Sequence, residues 1–122
     1  GGTVGGASVS FVAGDLREPS TILAYVEASA PHGLTGIVLN AGVAYDAPFD
    51  ALTVEQVASG PATRSSTRTG DDPLDLHVDL DLLAPLKLLR ALLRADALAK
   101  PCSVVLISSN VVRQALVGKL AY

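Results

Sequence analysis

Apolar residues in this chain gather in short runs, separated by stretches with helical spacing. Ala7 to Ala13 (ASVSFVA) is β-rich and ends at Gly14-Asp15, which predicts a strand closed by a turn. Thr21 to Ala30 then places Ile22, Leu23, Val26 and Ala30 on one helical face, with Ser20 as N-cap and Pro31-His32-Gly33 as the stop. Gly36 to Leu39 predicts a second strand, ending at Asn40-Ala41-Gly42. A helix is predicted to open at Thr53 to Ala58, where Leu52 and Val57 are apolar and Glu55 lies in the first turn. Asp79 to Leu98 reads as a long Leu-rich helix relieved by Lys87, Arg90 and Arg94. Ser103 to Ser108 is a third strand, with Val104 to Ile107 as a continuous apolar run. Strands alternating with helices predict an α/β fold with a parallel sheet. The expected architecture is a single domain over 1–122, a parallel sheet of three strands with flanking helices.

One stretch breaks the rhythm. Ser59 to Pro73 (SGPATRSSTRTGDDP) offers only Ala62 as a small apolar residue. It cannot bury enough surface to offset the entropy of ordering it, so residues 59–77 are predicted to form an inserted mobile loop. Connections of that length are uncommon inside compact domains. This one reads either as a genuine loop or as intervening sequence.

Composition narrows the class. Hydrophobic residues make up 49% of the chain and mean hydropathy is +0.42, which suits buried strands and the helices that cover them. No apolar run approaches the roughly 20 residues that cross a bilayer. The net charge of −3 and a pI near 5.1 oppose a nucleic-acid surface. Cys102 is the single cysteine, so no internal disulfide forms, and His32 and His77 lack metal-ligand spacing and read as loop or surface residues. Gly1-Gly2 and Gly5-Gly6 are followed by a strand rather than a helix, which rejects a phosphate loop. Composition points to a soluble cytoplasmic α/β domain without membrane or nucleic-acid partners and without a metal. No Met occurs at any position, which suggests an incomplete chain.

Ligands of doubly wound sheets bind outside the carboxyl ends of the strands. Asp15, Asn40 and Ser109 each follow an apolar run there, and Tyr122 stands thirteen positions after Ser109. Ala41 and Gly42 are small enough for close backbone approach, and Asn40 both donates and accepts. Each residue also has a plain reading: Asp15 as a turn or helix cap, Asn40 to Gly42 as turn residues, Ser109 as a strand-end serine and Tyr122 as a terminal apolar residue. Taken in order, Gly14-Asp15-Leu16, Leu39-Asn40-Ala41-Gly42, Asp81-Leu82-Leu83-Ala84-Pro85, Ser109 and Tyr122 resemble the classical short-chain dehydrogenase/reductases.

That resemblance implies a single partial NAD(P)-binding domain over 1–122, a Rossmann-like doubly wound parallel sheet of three strands with flanking helices, and hydride transfer between NAD or NADP and a carbonyl or alcohol substrate. Asp15 would accept a hydrogen bond from the adenine amino group, Leu16 would add a backbone contact, and Asn40, Ala41 and Gly42 would line the ribose side. Ser109 would hold the substrate oxygen while Tyr122 exchanges its proton. A phenol ionises near pH 10, so the family places a lysine four residues past the tyrosine. That position is 126, and Lys119 does not match it. The family's Gly-rich loop would precede this segment, so the chain is expected to be an internal fragment, inactive alone, from a homo-oligomeric enzyme. Asp81 stands where the family has Asn at a helix kink near Pro85, holding a relay water. It reads either as a degraded relay or as a tolerated substitution, and as a plain N-cap otherwise. The competing class is a non-catalytic Rossmann-like binding or interaction module.

Overall fold

Two parallel strands carry the site. The computed structural model describes residues 2–4, 6–44, 73–109 and 113. Strand β1 (Gly2–Val4) and strand β2 (Ala7–Val9) pair antiparallel, followed by helix α1 (Pro19–Ser29) and strand β3 (Leu34–Leu39). Helix α2 (Pro73–His77) runs into a π-helical segment (Val78–Leu83), then helix α3 (Ala84–Arg94) and strand β4 (Leu98–Leu106). β3 and β4 pair in parallel, with Ile37 opposite Val104, Val38 opposite Val105 and Leu39 opposite Leu106. Parallel strands require a long crossover, and the helices from Pro73 to Arg94 fill its described part.

Local chemistry explains the element ends. Pro19 occupies the first turn of α1, where its missing N–H costs nothing, with Glu18 as N-cap. Ser20, expected at the cap, therefore lies inside the helix. Pro85 cannot donate to the carbonyl four residues back, and its ring crowds that carbonyl. The helix accommodates this by widening just before it: the Ala84 N–H bonds Asp79 O, five residues earlier. The kink expected near Pro85 is thus a π turn. Between Leu34 and Gly36 the pairing partner on β4 jumps from Leu98 to Ser103. Pro101 lies in that skipped stretch and has no N–H to give the ladder.

Helices α1 and α3 cover one face of the parallel pair. Ile22, Leu39, Leu88, Leu92 and Ala97 form its buried core, with Tyr25, Val26, Leu34 and Ile37 packed against it. Burial of each such Leu or Ile is worth about 1.5–3 kcal/mol. A second cluster, Leu76, Leu80 and Ala84, repeats every four residues along the helix, and Leu16 packs against both clusters. The opposite sheet face is bare: Val38 is 65% exposed and its register partner Val105 is 46% exposed. Leu82, Leu86 and Leu93 form an exposed stripe on the helix.

The fold is mixed α/β with a two-stranded parallel sheet, and three expectations change. The segment at Ala7 does not join the parallel sheet among the described residues; it folds back on β1 through a turn containing Gly6, whose φ of +85° suits glycine. The 59–77 excursion is helical in its last five residues, because Leu76 continues the stripe of Leu80 and Ala84 and is almost wholly buried. β4 starts at Leu98 rather than Ser103, since α3 ends at Arg94 and Asp96 takes a left-handed turn at φ 50°. The helix expected at Thr53 to Ala58 and residues 59–72 lie outside the described residues. No helix among the described residues is long and apolar enough to cross a membrane.

Candidate functional site

A cavity of about 470 Å³ opens beyond the carboxyl ends of β3 and β4. Asn40, Ala41, Gly42, Val43 and Ala44 form one wall, Ile107, Ser108 and Ser109 another, and His77, Val78, Asp81 and Leu82 the third. The walls come from three distant stretches of sequence. They meet because the parallel register ends both strands together, where Leu39 O accepts the Ile107 N–H at 3.0 Å, and because the π turn lies over those ends. The volume falls within the range of small-molecule sites, about 300–1,000 Å³.

Asp81 ties two of these walls together. Its Oδ1 accepts the Val43 N–H at 2.8 Å, and its Oδ2 lies 2.8 Å from His77 Nδ1. The His77 side chain is 3% exposed and that of Asp81 is 24% exposed, so the pair lies at the boundary between core and cavity. Gly42 eases the approach: a Cβ there would stand 3.1 Å from Asp81 Oδ1, tighter than ordinary van der Waals contact. His77, expected as a loop or surface residue, is instead buried and paired. The missed signal was its spacing, four residues before Asp81, which aligns the two side chains on a helix.

Asp15 sits differently. It follows a stretch without strand pairing, not the end of a sheet strand. Its carboxylate accepts the Arg17 N–H at 2.9 Å and is bracketed by the Arg17 guanidinium, with Nη2 2.6 Å from Oδ2 and Nε 3.1 Å from Oδ1. Its carbonyl accepts the Glu18 N–H, which leads the chain into α1. A Cβ on Gly14 would overlap the Thr21 side chain, so glycine is needed for this turn to dock on the helix. Leu16 points into the core. Neither Asp15 nor Leu16 lines the cavity, whereas Asn40, Ala41, Gly42, Asp81 and Ser109 do. Tyr122 lies outside the described residues.

The lining offers an amide, hydroxyls and strand-end backbone, beside apolar Val78, Leu82 and Ile107. Such a surface suits a ligand with hydroxyls on one side and a flat apolar part on the other. Among the described residues, no group of three or more His, Cys, Asp or Glu side chains is placed to hold a metal ion. No protein-family model matches the chain, and neither a curated protein nor a solved structure matches it.

Proposed function

We propose that this chain carries the site of an NAD(P)-dependent oxidoreductase of the short-chain dehydrogenase/reductase type, acting on a carbonyl or alcohol. One observation carries the reading: Asn40, Ala41, Gly42, Asp81 and Ser109, singled out by motif, line one cavity at the carboxyl ends of parallel strands. The pair β3–β4 with its two covering helices would then belong to a larger Rossmann-like sheet, in which further strands extend the edges and further helices cover the face that bears Val38 and Val105.

The residues present fit part of a nicotinamide dinucleotide. Asn40 and the small Ala41 and Gly42 would hold a ribose, and Ser109 would orient the substrate oxygen within the same cavity. Asp15 would reach an adenine only by giving up bonds to Arg17. The cofactor, when bound, supplies or accepts the hydride. Tyr122 would exchange a proton with the substrate oxygen that Ser109 holds. The apolar Val78, Leu82 and Ile107 would exclude water from that oxygen. The exposed stripe Leu82, Leu86 and Leu93 suits packing against a second copy, as the resemblance implies.

The second reading is a non-catalytic Rossmann-like module. It is favoured by the engagement of both Asp81 oxygens with protein nitrogens, which departs from a relay. A fusion that adds a Gly-rich nucleotide loop ahead of the chain and a lysine four residues past Tyr122 separates the two. NAD(P)H absorbance over a carbonyl panel should show turnover that falls about 10²–10⁴-fold in Ser109→Ala and in Tyr122→Phe. Folded fusions without turnover would establish the non-catalytic reading.

A further inference from the structure

We propose that Asp81 is a positioning residue, a latch that holds the Asn40 to Val43 wall and the His77 ring in one arrangement, rather than a link in a proton relay. The proposal deepens the reading of the cavity as a dinucleotide and substrate site, and rests on that reading for its functional consequence.

A carboxylate accepts and does not donate. Asp81 Oδ1 accepts from the Val43 backbone N–H, 38 positions away in sequence, and Oδ2 faces His77 Nδ1, each at 2.8 Å. His77 must therefore present an Nδ1–H to Oδ2, which orients the ring. An asparagine cannot serve both neighbours in the same way, because its single oxygen accepts while its NH₂ only donates. The aspartate thus demands an Nδ1–H on His77, whereas an asparagine would offer the ring an N–H donor; either side chain can accept from Val43. Gly42 completes the device, since a Cβ there would stand 3.1 Å from Oδ1, and Asp81 would have to give by a few tenths of an ångström beneath the strand-end turn. The π turn supplies the rest by placing Asp81 over the strand ends, one turn from His77. Loosening Asp81 frees the segment that would cradle a ribose, so the cavity loses its shape before it loses any group that touches substrate.

Nuclear magnetic resonance of the chain tests this with three variants: Asp81→Asn, Asp81→Ala and Gly42→Ala. Long-range proton–nitrogen correlation should show His77 protonated on Nδ1 in the parent. In Asp81→Asn the ring should change to the Nε2–H tautomer, with Nδ1 accepting from the amide, while Val43 keeps its exchange protection. In Asp81→Ala the Val43 amide should exchange at least about tenfold faster, as expected when a charge-assisted bond is lost. Gly42→Ala should accelerate Val43 in the parent and not in the Asp81→Ala background. Shifts induced at Asn40 to Val43 by millimolar NADH should be lost in Asp81→Ala and retained in Asp81→Asn. An unprotonated Nδ1 in the parent, or unchanged Val43 exchange in a folded Asp81→Ala chain, would overturn the latch. If the tautomer and exchange results appear but NADH shifts nothing in any variant, the latch stands and the dinucleotide reading fails.

Discussion

Asp15 and Asp81 invite comparison, because both carry motif positions and both are held by short polar contacts. Asp15 is closed by its own neighbour: Arg17, two residues on, meets it with the backbone N–H and with a two-pronged guanidinium. Asp81 joins parts of the chain that meet only in the folded state, namely the segment after β3 and the helix at His77. The first contact shapes a turn, and a peptide of a few residues could form it. The second shapes a cavity, and it exists only if the crossover, the parallel register and the π turn all form. An acidic residue after an apolar run is therefore an ambiguous signal. Its partner decides whether it belongs to a turn or to a site.

The largest expected difference between the two is in stability. Asp81→Ala leaves a buried His77 and the Val43 N–H without their shared acceptor, and should cost about 2–4 kcal/mol. Asp15→Ala should cost about 1–2 kcal/mol, since the pair is mostly buried, with side chains 12% and 19% exposed, and Arg17 must swing its guanidinium outward on its long stem. Urea unfolding midpoints at a constant slope measure both. Equal costs would break the contrast, and would mean that the Asp15 turn is as much a tertiary element as the cavity.

A smaller effect sharpens the same point on the sheet. Val38 and Leu39 are consecutive, yet Leu39 is buried against α1 and α3 while Val38 faces outward. Val38→Lys should change stability by no more than about 0.5 kcal/mol, in line with substitutions on open surface. Its effect should appear in association, because charging a bare apolar face removes a patch that self-associates. Light scattering at tens of micromolar, a concentration that reports transient contacts, should show less oligomer than the parent chain. Unchanged oligomer would shift attention to the Leu82, Leu86 and Leu93 stripe.

Much of the architecture was legible because it follows from short-range rules. The helix at Ile22, the strand at Ile37 and the strand at Val104 show in periodicity and apolar runs, and the agreement at Asn40 and Ser109 follows from strand ends. What was not legible depends on distant partners or on local competition. The β-rich Ala7 to Val9 pairs with Gly2 to Val4 instead of β3, because a hairpin turn costs less loop entropy than a long-range pairing. Helix α2 hides inside a polar stretch, since its Leu76 gains meaning only beside Leu80 and Ala84. His77 looked isolated because helical spacing to Asp81 matters only once that helix is known to begin at Pro73. Pro85 announces a disturbance, and the helix answers it with a π turn, in which the Ala84 N–H bonds Asp79 O.

On the proposed function, the strand-end cavity, and not the Asp15 turn, would receive the nicotinamide dinucleotide. Titration of the ¹⁵N-labelled chain with NADH and NADPH into the millimolar range, about −4 kcal/mol of binding, tests it residue by residue. The claim predicts saturable shifts at Asn40 to Ala44 and at Ser109 with at least one of the two dinucleotides, and little change at Asp15 and Arg17. Shifts confined to the Asp15 turn, or none at the cavity at any concentration, would contradict it.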